Sequence, residues 1–439
     1  MNWRRTRGTE PPCSVDVTYE VANLGLSFGT ALTRSGIFRV TESFVMEVLA
    51  HPDVNARFVA SDSYASEVQL ARYDRSVNGR LGERRVTAWD SGVSSLAESI
   101  GMMDRLMVGD ERDPATARLR AEVALVNRMA RPRSIAGPVD VYHSMRQPLA
   151  SRDRVPARVR VATIHDMVPS LYPDVTDERF VTFHDAVLRS IDVERDWVMC
   201  ISESTRRDFI GITGMAEDRI FVVPLAASPL VFRPEEDELR LKAVLAGHGI
   251  THGRFVLSLC TLEPRKNLAR LVRAFAAMVA DPALNDVRLA LIGALGWKTE
   301  SLLETIRTVG LPSDRLMLLG HVPDDDLRAL LTGASVFVYP SLYEGFGLPV
   351  LEAMQCGVPV VTSNTSSLPE VVGDAALSVD PTDEDALVQA MTDALLNSDL
   401  AAELRRRGVE RAKTFTWRRT VDEAVAAYDQ MLERAAMSS

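Results

Sequence analysis

Two glutamates eight positions apart, Glu344 and Glu352, flank the glycine-rich turn Gly345-Phe346-Gly347-Leu348-Pro349. Ahead of the turn, residues 334–340 are continuously apolar, β-branched and aromatic, which predicts a strand buried on both faces. After it, residues 348–355 predict a helix: Pro349 suits an early helical position because its missing N–H would be unbonded there, and Gly357 suits the left-handed position past the last turn. A strand, a glycine turn and a helix in succession aim the backbone N–H groups of Gly345, Phe346, Gly347 and Leu348 and the positive end of the helix dipole at one spot, which attracts phosphate. The carboxylates therefore need other work. Glu352 would be repelled by a bound phosphate, so its natural partner is a neutral diol such as a ribose, whereas Glu344 would face whatever hangs from the far phosphate. The combination predicts a socket for a sugar nucleotide.

A second element supplies positive charge. The turn Thr261-Leu262-Glu263-Pro264-Arg265-Lys266-Asn267 follows an apolar run and precedes a helical pattern. Arg265 and Lys266 at a helix start oppose the macrodipole by roughly 0.3–1 kcal/mol each, a conflict that a bound diphosphate would resolve. Arg offers a planar clamp and Lys a mobile point charge. The alternative is a surface turn whose cations pair with Glu263. A third element is Thr163-Ile164-His165-Asp166-Met167 at the end of another apolar run. His165 at a strand end could donate to a phosphate or sugar oxygen, whereas Asp166 is ambiguous, because an aspartate there could simply cap the following turn. Gly36, within Thr33-Arg34-Ser35-Gly36, could bring backbone close to phosphates or simply start a helix. Ser202, Ser204 and Thr205 sit where hydroxyls cap helices. Asp324-Asp325-Asp326 is the obvious place for a divalent ion, but capping and dipole compensation of the following helix explain it, and the two cations make a metal unnecessary.

The elements that must position these groups alternate between short apolar runs and helical patterns in both halves, which predicts parallel sheets wound with helices. Strands are expected at 15–21, 57–60, 139–144, 159–164, 197–202 and 220–225, then at 255–260, 287–292, 316–319, 334–340, 358–362 and 376–379. Helices are expected at 37–50, 116–130, 178–191, 267–280, 386–396, 401–412 and 417–435. A length of 439 residues exceeds what one core usually supports. A proline-containing polar stretch near 229–253 predicts a linker, with one domain over 1–230, a second over 231–416, and the amphipathic helix 417–436 packing back on the first. Hydrophobic residues make up 46% and charged ones 25% of the chain, as in an ordinary globular protein, and the net charge of −10 argues against nucleic acid as a partner. Four dispersed cysteines, Cys13, Cys200, Cys260 and Cys356, predict buried thiols in a reducing, cytoplasmic setting. The basic N-terminus lacks the apolar core of a signal peptide, and no run of about 18 apolar residues exists, so membrane contact would be peripheral.

With these residues in hand, the chain resembles the retaining glycosyltransferases of family 4, the group 1 glycosyltransferases with the GT-B fold. The resemblance rests on Glu344 and Glu352 around Gly-Phe-Gly-Leu-Pro, on Glu263-Pro264-Arg265-Lys266-Asn267, and on Asn364-Thr365-Ser366-Ser367-Leu368-Pro369-Glu370-Val371-Val372-Gly373-Asp374-Ala375-Ala376. It spans most of residues 254–420, and more loosely His165-Asp166 and 200–207. It implies an α/β protein of two Rossmann-like doubly wound domains facing a central cleft, the first binding an acceptor and the second a nucleoside-diphosphate sugar. It implies that Arg265 and Lys266 bind the diphosphate, Glu352 the ribose and Glu344 the donor sugar, that His165 lies near the reacting centre, and that backbone at His321 and Val322 reads the base. The implied reaction is a metal-independent hexosyl or deoxyhexosyl transfer, with the Asn364–Ala376 stretch leaning towards GDP-mannose, to a glycan, lipid-linked or small-molecule hydroxyl, and with no further cofactor. Many members carry paired glycines where this chain has Ser35-Gly36. A GT-B epimerase, a phosphorylase or a non-catalytic nucleotide-sugar-binding protein are the alternatives, whereas a dinucleotide-dependent dehydrogenase would need an early GxGxxG that is missing.

Overall fold

The computed structural model describes residues 14–26, 36–108, 113–135, 139–250, 254–312 and 314–437. These form two compact units. One comprises the described residues up to Thr163, Ser190–Val198 and those from Val421 onward, and the other comprises Ile164–Arg189 and Met199–Thr420.

The first six-stranded sheet has the order Val54–Val59, Val15–Glu20, Val139–Ser144, Ala157–Ile164, Trp197–Cys200, Ile220–Val222. Val15–Glu20 pairs in parallel with both Val54–Val59 and Val139–Ser144, and its valines and Tyr19 are buried because helices cover the sheet. The second sheet has the order Leu316–Gly320, Arg288–Ile292, Phe255–Leu259, Val336–Tyr339, Val360–Ser363, Leu377–Val379, with parallel pairing throughout. Its central strands are β-branched and aromatic and almost wholly inaccessible. Three successive strands step outward one way from Phe255–Leu259, and the next three step outward the other way from Val336–Tyr339. The order thus reverses between these two neighbours. A doubly wound sheet leaves a crevice at the carboxyl ends of the strands where its order reverses, since the flanking connections cross to opposite faces.

The expected linker at 229–253 is not purely extended: it contains the helix Glu238–Gly247. Asp237 caps it, accepting from the N–H groups of Leu239 and Arg240 at 3.0 and 3.1 Å. Leu241 and Leu245 pack against Gly333, where an added Cβ would lie 2.9 Å from a Leu245 methyl. Proline and acidic residues at 234–237 mask this short amphipathic pattern in the sequence. The irregular span from Tyr64 resolves into three helices, Tyr64–Ser76, Leu96–Val108 and Pro114–Met129, around a small cluster of Tyr64, Val68, Ala71, Ile100 and Met103. The final helix, Trp417–Met437, buries Val421, Ala424, Ala427, Tyr428 and Met431, and its Tyr428 hydroxyl lies 2.6 Å from His143 Nδ1. Cys200, Cys260 and Cys356 are buried free thiols, and Cys13 lies outside the described residues. Among the described residues no helix is long and apolar enough to cross a membrane.

Candidate functional site

The two strands at the reversal point of the second sheet deliver the two charged turns. Phe255–Leu259 leads into the 3-10 turn Pro264–Lys266, and Val336–Tyr339 leads into the loop of Ser341 to Gly347. The turns are stitched together. Leu342 N–H donates to the Arg265 carbonyl at 2.9 Å, and Asn267 Nδ2 donates to the carbonyls of Pro340 and Pro381 at 3.0 and 2.7 Å. Asn267 holds a left-handed backbone with φ of 58°, a region that asparagine enters more readily than most non-glycine residues.

This arrangement buries a cluster of two carboxylates, Glu263 and Glu344, and two cations, Arg265 and Lys266. Lys266 Nζ lies 2.6 Å from Glu344 Oε1 and donates to the Tyr339 hydroxyl at 2.8 Å. Arg265 Nη1 lies 2.9 Å from Glu344 Oε2 and donates to the Tyr343 carbonyl at 2.7 Å, while its Nη2 reaches Glu263 Oε1 at 2.5 Å. Ser341 Oγ donates to Glu344 Oε1 at 2.6 Å. Glu352 is separately buried, 3% exposed on the helix Leu348–Gln355. Arg265 and Lys266 are thus not a surface turn paired with Glu263 alone, because the buried Glu344 carboxylate bridges both cations. Burial alone would raise the Glu344 carboxyl, but the charges of Arg265 and Lys266 and the bonds from Lys266 and Ser341 bring it down to about 2. Burial works against the Arg265 charge, yet Glu344 and Glu263 hold its guanidinium above the usual range.

The glycine turn has the predicted form. Gly347, with φ of 112°, precedes Leu348–Gln355, Pro349 sits in its first turn, and Gly357, with φ of 71°, follows it. Gly345 is required for a reason the sequence does not display: an added Cβ would lie 1.9 Å from the His165 carbonyl oxygen and 2.8 Å from Asp166 Cβ. His165 directly follows the strand Ala157–Ile164, so this contact brings it and the Glu344 loop together. Asp166 Oδ1 accepts the Val168 N–H at 3.0 Å, at the turn that follows the strand. Phe346 is buried edge-on against Phe415, and Leu348 is half-buried at the helix start. Val322 is buried beside exposed His321, ahead of the helix Asp324–Gly333. Asp324, Asp325 and Asp326 occupy the first turn of that helix, and Asp326 pairs with His248 at 3.1 Å. Gly36 belongs to the first unit, where it is exposed as the first residue of the helix Gly36–Ala50, and Thr33, Arg34 and Ser35 lie outside the described residues. Ser202 caps Glu203–Thr213 by accepting the Thr205 N–H.

Several members of the cluster escape sequence reasoning. Ser366 Oγ accepts the Glu344 N–H at 2.9 Å, and Ser367 Oγ donates to the carbonyls of Glu344 and Phe346 at 2.9 and 2.8 Å. Ser202 and Thr205 both donate to the Gly345 carbonyl, at 2.7 and 3.2 Å. Tyr343 donates to Asp208. The serines stand in the Asn364–Ala376 motif, but nothing in their spacing says which carbonyl they seek. Beside the same turn, a cavity of about 200 Å³ is lined by Glu263, Asn267, Arg270, Arg273 and Lys298. Arg270 donates to the Pro381 carbonyl, Lys298 to the Asp174 carbonyl, and Arg273 pairs with Glu384 at 2.9 Å, so these cations are already engaged.

Chemically, the cluster is a dry, preorganised pair of cations neutralised by a shared carboxylate. An incoming polyanion at the start of Leu348–Gln355 could take over charge now neutralised by Glu344. Dry cations interact far more strongly with developing negative charge than solvated ones do.

Comparison with known proteins supports the same part of the chain. A family model described as glycosyl transferases group 1 matches residues 246–414. The O-antigen chain mannosyltransferase B of Escherichia coli is 34% identical over 268 residues, covering 61% of this chain and 69% of the relative. The serotype-specific mannosyltransferase WbdA of Escherichia coli is 31% identical over 286 residues, which is 64% of this chain and only 34% of WbdA. The MMP alpha-(1->4)-mannosyltransferase of Mycolicibacterium hassiacum is 32% identical, with 58% of each chain covered. Among solved structures, Alr3699/HepE from Anabaena, in complex with UDP and glucose, superposes with a TM-score of 0.60 at 16% identity, covering 94% of this chain and all of that one. WaaG, a glycosyltransferase involved in lipopolysaccharide biosynthesis, superposes with a TM-score of 0.58 at 14% identity over 96% and 99%. The architecture is the GT-B fold of two Rossmann-like sheets.

Proposed function

Because the chain belongs to the group 1 glycosyltransferases, we propose that it moves a mannosyl or related hexosyl unit from a nucleoside diphosphate to an acceptor hydroxyl with retention of anomeric configuration and without a metal ion. The observation that carries this reading is the buried Arg265, Lys266 and Glu344 cluster at the reversal point of the second sheet, next to a glycine-initiated helix. The lean to a mannose donor, GDP-mannose in particular, is supported by the three mannosyltransferase relatives.

In this reading Arg265 and Lys266 hold the diphosphate together with the N–H groups of Gly345 to Leu348, Glu352 takes the ribose hydroxyls, and the Val322 backbone meets the base. Glu344, relieved of one cation, turns to the donor sugar, with His165 near the reacting carbon. The bond between the anomeric carbon and the diphosphate oxygen breaks as the acceptor oxygen bonds to that carbon. The acceptor proton passes to the departing phosphate on the same face. Negative charge grows on the leaving diphosphate, so fixed cations and helix-start N–H groups lower the barrier directly. Neutralisation by Arg265 and Lys266 supplies what a divalent ion would otherwise supply. The acceptor, a glycan, lipid-linked or small-molecule hydroxyl, is assigned to the N-terminal domain over 1–230, and the donor to 231–416. Three buried free thiols support a cytoplasmic setting.

A thermal-shift panel of UDP-, GDP-, dTDP- and ADP-sugars tests the donor assignment, since a ligand at 100 times its Kd stabilises by about 2.7 kcal/mol. A shift with GDP-mannose above the others is expected. No shift with any nucleotide sugar would overturn the reading.

A further inference from the structure

Glu344 is bracketed by two contacts with one helix, Glu203–Thr213, which lies outside the segment matched by the family model. On the C-terminal side of Glu344, the Gly345 carbonyl accepts from both Ser202 and Thr205. On the N-terminal side, the Tyr343 hydroxyl donates to Asp208. Positions 202, 205 and 208 recur every three residues and share one broad face of the helix. The helix is itself fixed at its start, where the Glu370 carboxylate accepts the N–H groups of Glu203 and Ser204 at 2.8 and 2.7 Å. Tyr343 is buried, its ring lies 5.7 Å from that of Tyr172, and its carbonyl accepts from Arg265 Nη1 at 2.7 Å. A chain of two contacts therefore runs from Asp208 through Tyr343 to Arg265.

We propose that Asp208 is a positioning residue for glycosyl transfer, holding Tyr343 so that its carbonyl fixes the Arg265 guanidinium. This inference rests on the function proposed above. A carboxylate accepting from a buried phenol gives one rigid setting of the ring, and the peptide unit that follows the ring is the one that meets the guanidinium. Burial and the bond to Asp208 both push the Tyr343 hydroxyl above its ordinary range, so it stays a donor at working pH. A purely structural bond would stabilise the helix against the loop without any dependence of turnover on that bond.

The test is a double-mutant cycle on kcat/KM for the donor that the thermal-shift panel selects, using Asp208→Ala, Tyr343→Phe and the pair, with Lys266→Ala and Asp208→Asn alongside. Tyr343→Phe removes one oxygen and keeps the ring, so it remains informative if Asp208→Ala folds poorly. The expected result is a fall of about tenfold in either single variant, mostly in kcat, no further fall in the pair, and recovery of most of the loss by Asp208→Asn, whose amide oxygen still accepts. If Lys266→Ala is inactive while Tyr343→Phe turns over like the wild type, or while the two losses multiply in the pair, the positioning role is overturned and the function stands. If Lys266→Ala turns over normally, the function itself falls and takes this inference with it.

Discussion

Replacing Glu344 by Gln keeps the side-chain shape and removes the charge that Arg265 and Lys266 share. A carboxyl held near pH 2 instead of 4.5 contributes about 3 kcal/mol to the folded state when ionised. Removing one partner of a buried ion pair costs roughly 3–5 kcal/mol for the charge left behind. Here the lower end applies, because Arg265 keeps Glu263 and Lys266 keeps the Tyr339 hydroxyl. At roughly 2–4 °C per kcal/mol for a unit of this size, Tm at pH 7 should fall by roughly 6–12 °C. The folded carboxyl is depressed, so its stabilisation is present above about pH 4.5 and lost as pH falls towards 2. The gap between wild type and Glu344→Gln should therefore close across that window. An added nucleoside diphosphate should raise Tm more in the variant than in the wild type, since it no longer competes with a carboxylate for the cations. Differential scanning fluorimetry from pH 7 to 2.5, with and without GDP, reads all three effects. An unchanged Tm at pH 7, or a gap as large at pH 2.5 as at pH 7, would refute the bridging geometry.

Gly345→Ala places a methyl 1.9 Å from the His165 carbonyl oxygen, so the backbone of one strand end must move; turnover should fall at least a hundredfold, and a near-normal rate would show that the contact is relaxed at no cost. Glu352→Ala should raise the Kd for the nucleoside diphosphate about tenfold while changing kcat little, as titration calorimetry and steady-state rates can establish. Incubation with EDTA should leave transfer within experimental error of the untreated rate, and a loss restored by Mg²⁺ or Mn²⁺ would replace the cation-only account of the diphosphate.

The doubly wound fold is legible in the sequence because parallel strands buried on both faces are continuous apolar runs, as at Val336–Tyr339 and Val360–Ser363. The turn geometry is legible too, since Pro349, Gly347 and Gly357 each have a backbone reason for their positions. Glu344 bridging Arg265 and Lys266 is not legible: residues 78 or more positions apart meet only because Phe255–Leu259 and Val336–Tyr339 are neighbours in the sheet. The same holds for Asp208 and Tyr343, and for Gly345 and His165, whose contacts depend on which loops the sheet order brings together. The helix Glu238–Gly247 was hidden for a different reason, because its apolar side is only a few leucines long and Pro234 and three acidic residues precede it.

The measurement that bears most directly on the central claim is release of nucleoside diphosphate from UDP-, GDP-, dTDP- and ADP-sugars, with an oligomannoside as acceptor, by wild type and by Lys266→Ala. Wild type should release one nucleotide selectively, GDP from GDP-mannose, and Lys266→Ala should be slower by at least a thousandfold while still folded at the assay temperature. Equal rates in the two proteins would contradict the account.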